Sequence, residues 1–171
     1  MGSNGEIATA PSHTISVLVH NRPGVLSRVA QVFARRGYNI DSLVVSPAHQ
    51  EGFSRMTIVS SGDPADLDQI IKQLDKLVDV VRAAEHTGGD SVVRELAMFK
   101  MTANVDTRTE ILQVVDVFRA KTIDISEESL CIEVTGDSAK IDAIEGMLSK
   151  FGIKEMVRSG KLIIARGAEM T

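Results

Sequence analysis

The sequence predicts an α+β fold built from two βαββαβ units. Three observations carry this expectation. Apolar residues switch repeatedly between a two-residue and a helical period. The order of elements before residue 87 recurs after residue 90. At a shift of 74, "GDPADLDQIIKQLDKL" (62–77) lies over "GDSAKIDAIEGMLSKF" (136–151) with seven of 16 positions identical. Each unit of this order makes a four-stranded antiparallel sheet with two helices on one face, the ferredoxin-like plan.

The elements follow in order. In "HTISVLVH", Ile15, Val17 and Val19 share one face of a strand. After Gly24 the period becomes helical, with Val25, Leu26, Val29, Val32 and Phe33 on the core stripe and Gly37 as a left-handed stop. "NIDSLVVSP" and "FSRMTIVSS" are strands around a turn at Gln50 to Gly52. Asp63 and Pro64 stand at the cap and first turn of a second helix. Its stripe is Leu67, Ile70, Ile71, Leu74 and Leu77, and "VDVVRAAEH" is the fourth strand.

"TGGD" (87–90) marks a boundary. Beyond it "RELAMFKMT" is a strand, and Ile111, Leu112, Val114, Val115 and Phe118 mark a helix. "TIDISEES" and "LCIEVTG" are strands, and Ile141, Ile144, Met147, Leu148 and Phe151 mark the last helix. "IKEMVRSGKLIIAR" is expected to close the unit as a hairpin turned at Ser159 and Gly160. The resulting division is a flexible tail at 1–12, a first domain at 13–86, a second at 91–167 and a short tail at 168–171. Units this small need extra burial, and a sheet with helices on one side leaves a face and an edge to cover. Both arguments favour a homodimer.

Bulk properties narrow the function. A chain of 171 residues with 43% apolar and 25% charged content is an ordinary globular protein. It has no Trp and one Tyr, so its cores are aliphatic. A net charge of −4 without a long basic run argues against nucleic acid as a partner. Cys131 is the only cysteine, which excludes an intramolecular disulfide and a cysteine zinc site, and it is expected as a small buried strand residue. No apolar run reaches the roughly 18 residues of a membrane span. The N-terminal stretch lacks secretory-signal blocks. The expected location is cytoplasmic, or an organelle stroma after removal of a transit segment.

The informative stretch is "VHNRPGVLSRV" (19–29), where a strand ends at a polar turn and a helix starts at once. A helix mouth presents free N–H groups and a positive dipole end, which suits a carboxylate or phosphate without any charged side chain. Gly24 permits close approach, Pro23 stiffens the entry, and Asn21 both donates and accepts. Asn39 starts the next strand. Donors for a carboxylate, amide oxygens for an ammonium and a small apolar pocket together suit an α-amino acid. Strands one and two run parallel in this topology, so Asn21 and Asn39 lie at opposite ends of one chain's sheet. Pairing the edge strands of two chains brings one chain's Asn39 to the other's Asn21 and Gly24. The corresponding turn of the second unit, "ANVDTRTE", has neither Gly nor Pro, so the fold itself does not require this chemistry.

At these residues a resemblance becomes specific. "HTISVLVHNRPGVLSRVAQVFARRGYNIDSL", "SRMTIV", "QLDKLVDV", "VRELAMFKM", "FRAKTIDIS", "EVTGD" and "VRSGKLIIARG" resemble the small regulatory subunits of acetohydroxyacid (acetolactate) synthase, from about residue 13 to 167. The resemblance implies an N-terminal ACT domain and an ACT-like C-terminal domain. It implies a chain that does not catalyse, but activates a catalytic large subunit and confers feedback inhibition by valine or another branched-chain amino acid. Thiamine diphosphate, FAD and Mg then belong to the large subunit, and this chain holds no cofactor or metal. By motif match the effector site falls on Asn21, Gly24 and Asn39, with backbone contacts around Val25, Leu26 and Ile40. Arg22-Pro23 departs from the acidic or small residues of many relatives.

Two rivals are weaker. An enzyme would need a catalytic constellation, yet His13, His20, His49 and His86 show no metal spacing. Glu127 and Glu128 face opposite ways in extended chain, and no phosphate-loop or serine-elbow motif occurs. The alternative within the same fold is a free-standing ACT-type amino-acid sensor acting on another partner; Arg35 and Arg36 could offer it a small basic patch, although such a pair is more often the solvated end of a helix, favoured there by the dipole.

Overall fold

A computed structural model describes residues 11–171, so most of the stretch read as an N-terminal tail lies outside the described residues. Two compact units emerge, one comprising residues up to Ser91 together with Ala165–Thr171, the other Val92–Ile164. No helix among the described residues is long and apolar enough to cross a membrane.

The first unit contains β1 (Ser12–His20), α1 (Val25–Arg35), β2 (Ile40–Pro47), β3 (Phe53–Ser61), α2 (Pro64–Leu74) and β4 (Val80–Glu85). Its antiparallel sheet has the order β2-β3-β1-β4, so β2 is an edge strand. Alternation buries Ile15, Val17 and Val19 against Val25, Val29 and Phe33 of α1 and Leu67, Ile70 and Leu74 of α2. Leu26, expected on that stripe, is 43% exposed: the buried set runs at i, i+4 and i+8, and position 26 lies about 100° round the helix from position 25. Gly37 stops α1 at φ 71°, and Asp63 caps α2 by accepting from the Ala65 N–H at 2.8 Å.

The helix-free face of this sheet is covered within the chain rather than left open. Thr14, Ser16, Thr57 and Val59 are buried. His86 binds the Ser16 hydroxyl through Nε2 at 2.9 Å, and the Thr14 N–H donates to Thr87 Oγ1 at 3.2 Å. Residues 168–171, read as a tail, fold back here. Arg55 Nη1 donates to the Thr171 carbonyl at 2.5 Å, and Arg82 Nη1 to that of Met170 at 3.2 Å. Of the two edge strands, β2 with eight residues offers a longer unpaired edge than β4 with six.

The second unit contains β5 (Ser91–Thr102), α3 (Val105–Val117), β6 (Lys121–Ile125), β7 (Ser129–Gly136), α4 (Ser138–Ser149), β8 (Ile153–Arg158) and β9 (Leu162–Ala165). The sheet runs β6-β7-β5-β8, and β9 also pairs with β5. The expected hairpin at Ser159 and Gly160 does not form. The Ser159 N–H donates to the Leu96 carbonyl at 2.9 Å, and the Leu96 N–H donates to Ser159 Oγ at 3.0 Å. The chain thus continues along β5, whose twelve residues offer one edge to both short strands. The core joins Ala97, Phe99 and Met101 to Ile111, Val114, Val115, Ile141, Ile144 and Leu148. Met147, expected in the stripe, is exposed. Cys131 alternates away from buried Leu130 and Ile132 and is only half-buried, not the buried residue expected.

The repeat has a physical basis. Asp63 and Asp137 both cap helices, and each follows a glycine under a side chain. A Cβ at Gly62 would sit 2.0 Å from Tyr38 Cε1, and one at Gly136 2.5 Å from Lys140 Cδ.

Candidate functional site

The mouth of α1 differs from the other helix starts. Asp63, Asn104 and Asp137 each accept from N–H groups of the helix they cap. Gly24 caps α1 at φ 82° and ψ −8°, a left-handed conformation suited to glycine, and gives no side-chain bond. The Val25 N–H reaches the Arg22 carbonyl at 3.4 Å, a weak contact. The N–H groups of Leu26 and Ser27 have no partner among the described residues. Asn21 and Gly24 are exposed, whereas the Val25 side chain is buried beneath the mouth. The exposed Leu26 side chain provides an apolar rim.

Charge is present where the sequence suggested none. Arg28, one turn into α1, donates through Nη2 to Asp79 Oδ2 at 2.6 Å, and Arg22 Nη1 lies 3.9 Å from Asp79 Oδ1. Asp79 precedes β4 and is anchored by its carbonyl, which accepts from the His20 N–H at 2.8 Å. Two cations against one carboxylate leave a net positive charge beside the helix start, in the same sense as the dipole. Sequence reading missed Arg28 and Asp79 because 51 residues separate them.

Asn39 and Ile40 lie at the other end of the sheet. β1 pairs His20 with Phe53, while β2 pairs Ile40 with Ser60. Seven residues of β3 separate those partners, about 23 Å at a rise of about 3.3 Å per residue. One chain therefore does not bring Asn21 and Asn39 together. Asn39 is exposed, and its Nδ2 donates to Asp41 Oδ1 at 3.0 Å, which fixes the amide and leaves its oxygen free to accept. Asp41 Oδ2 accepts from Ser61 Oγ at 2.7 Å. Ile40 is half-buried on the first unit's core. The Asn39 end is thus acidic and the Asn21 end basic.

The second unit has a cavity of about 790 Å³ at the mouth of α3, lined by Asn104, Val105, Arg108, Glu127, Glu128 and Lys154 among others. Asn104 Oδ1 accepts from the Asp106 and Thr107 N–H groups at 3.1 and 2.9 Å, which consumes the donors a carboxylate would use. Arg108 Nη2 is held by the carbonyls of Ala103, Ser126 and Glu127. Glu127 and Glu128 are exposed. Among the described residues no group of three His, Cys, Asp or Glu side chains is arranged to hold a metal.

Comparison with known proteins places both units. A family model described as the small subunit of acetolactate synthase matches residues 94–167, and one described as an AHAS small subunit-like ACT domain matches residues 15–82. The acetolactate synthase small subunit of Mycobacterium leprae is 47% identical over 157 residues, covering 92% of this chain and 93% of that protein. That of Mycolicibacterium smegmatis is 47% identical over 165 residues, covering 96% and 95%. The crystal structure of the acetolactate synthase small subunit from Thermotoga maritima aligns with a TM-score of 0.84 at 38% identity, covering 93% of this chain and 99% of that one.

Proposed function

Because the chain belongs to the family of acetolactate synthase small subunits, the regulatory chains of that enzyme, we propose that it binds and activates the catalytic large subunit and imposes feedback inhibition by a branched-chain amino acid. In this reading the chain has no active site of its own, and the thiamine-diphosphate chemistry, with FAD and Mg, belongs to the large subunit. The effector lies between the first units of two copies.

The observation that supports this reading is the complementary chemistry of the two ends of the first sheet. The α1 mouth offers unpartnered N–H groups and positive charge, and the start of β2 offers an amide oxygen beside a carboxylate. When two β2 edges pair antiparallel about a two-fold, the partner's β2 starts at this chain's Asn21 end. Asn39 of the partner subunit then faces Gly24. A zwitterion fits with its carboxylate on the backbone N–H groups at the start of α1, from Val25 to Ser27, and its ammonium on the amide oxygen. Two such sites form per dimer, and their occupancy is tied to subunit arrangement.

Magnitudes suit a metabolite sensor. Charge-assisted hydrogen bonds contribute about 1.5–3 kcal/mol each, and burying a valine side chain contributes about 1.5–3 kcal/mol. Association costs about 4 kcal/mol or more, which leaves micromolar to millimolar affinity. One methylene alters recognition about 10–200-fold at most, so valine, leucine and isoleucine all bind, with graded strength. Inhibition follows when the effector binds one state of the assembly more tightly than the other. Calorimetric titration of the purified chain with the three amino acids, alongside sedimentation, tests the reading. One ligand per chain on a dimer is expected; a monomer that takes up none of the three refutes it.

A further inference from the structure

The Arg28 guanidinium spans two environments. Nη2 is committed to Asp79, whereas Nη1 has no partner among the described residues. Nη1 is also the atom nearest the position of a Cβ built on Gly24, at 3.1 Å. The guanidinium therefore lies over the glycine at the helix mouth, with one nitrogen anchored and one unpaired. Its anchor is firm: the Asp79 side chain is 13% exposed, and its carbonyl is bound by the end of β1. Arg28 itself is 46% exposed, open to an incoming ligand. Arg22, at 3.9 Å from the same carboxylate, is beyond hydrogen-bond distance and more exposed.

We propose that Arg28 is the residue that recognises the effector's carboxylate, and that Asp79 is the positioning residue that holds it over Gly24. This rests on the reading of the α1 mouth as an amino-acid site and adds a side chain to it. A carboxylate that docks on the Leu26 and Ser27 N–H groups arrives beside Nη1 and gains a charge-assisted bond. Asp79 offsets one of the two positive charges, so a net positive charge remains beside the vacant mouth. The planar fork lets one side chain serve both carboxylates at once, which a lysine does not. The ligand class that follows is an α-amino acid with a free carboxylate; amides and decarboxylated amines are disfavoured.

The test is calorimetry of the full chain with valine and with valinamide, which keeps the ammonium and side chain but not the carboxylate. The wild-type chain should prefer valine at least tenfold. Arg28→Gln should lower valine affinity about tenfold or more and narrow the preference over valinamide by a similar factor. Asp79→Asn should weaken valine severalfold while keeping part of the preference. Thermal melting by circular dichroism checks each fold. Arg28→Lys, which keeps the charge without the fork, replaces the Gln variant if that variant is unfolded, and its valine affinity should fall severalfold. If the wild-type chain binds no branched-chain amino acid, the site reading itself fails. If it binds valine but the folded Arg28 variant shows unchanged affinity and preference, the role of Arg28 is overturned.

Discussion

Gly24→Asp should remove the effector response while leaving the fold in place. Gly24 has φ 82°, and an L-residue in the left-handed region costs about 1–2 kcal/mol. The new Cβ meets only Arg28 Nη1, the far end of a flexible side chain, so that contact relaxes. For a chain of this length the backbone cost corresponds to a Tm lowered by about 2–8 °C. The effect on binding is larger. The introduced carboxylate occupies the helix mouth, repels the ligand's own, and competes for Arg28. Losing two charge-assisted bonds of about 1.5–3 kcal/mol each weakens binding by about 3–6 kcal/mol. That is about 10²- to 10⁴-fold in Kd. Calorimetry gives Kd, and the reconstituted holoenzyme gives inhibition by valine and activation of the large subunit. Gly24→Ala separates the contributions, since it carries the backbone strain without the charge. A Gly24→Asp chain that binds valine with the wild-type Kd would refute this placement of the site.

Other expectations concern the scaffold. Glu95 is buried, and although burial raises its pKa, hydrogen bonds from Arg158 and Ser138 outweigh that effect and hold it below 4.5. Its contribution to stability is therefore present above pH 4.5 and lost as pH falls through the folded value. Glu95→Gln should cost about 3–5 kcal/mol at neutral pH, at the lower end because Arg158 keeps Asp142 at 2.6 Å, and the difference from wild type should shrink in acid denaturation curves. His86 is shifted below 6.5 by burial and by Arg82 and Arg55, so the unfolded chain binds the proton more readily. Stability should be full above pH 6.5 and decline as pH falls below it. Replacement by Asn should flatten urea midpoints measured from pH 7.5 down to 5; identical slopes would contradict this. Gly62→Ala should displace the Tyr38 ring and break its hydroxyl bond to the Asp63 carbonyl, lowering Tm by several degrees. Tyr fluorescence reports the change directly, because Tyr38 is the only tyrosine.

Much of the fold was legible because local chemistry and burial agree. The Asp63 and Asp137 caps, the Gly37 stop and the alternation of Ile15, Val17 and Val19 all announce themselves within a few residues. The misreadings arise where the deciding partner is distant. Ser159-Gly160 has the composition of a turn, but the long edge of β5 captures Ser159 and draws the chain straight on. Residues 168–171 look like a terminus, yet Arg55 lies 116 positions away and holds Thr171. At the proposed site, Asn21, Gly24 and Asn39 stand out in the sequence as a pattern. The Arg28–Asp79 pair and the Asp41 brace on Asn39 do not, because each follows from how strands and helices meet.

The return of 165–171 has a practical consequence for dissecting the molecule. The half that carries the glycine mouth is discontinuous in the chain: its last seven residues come after the whole of the other half. Cutting at Gly88 would free a fragment that matches the ACT family model but lacks the strip that Arg55 and Arg82 grip. Such a fragment would leave Arg55 and Arg82 without their carbonyl partners and alter the surface available for association. Oligomer sizes measured on an isolated fragment would then describe the wound rather than the native contact. A design that splices 165–171 back after residue 91 through a short glycine linker is the appropriate minimal version.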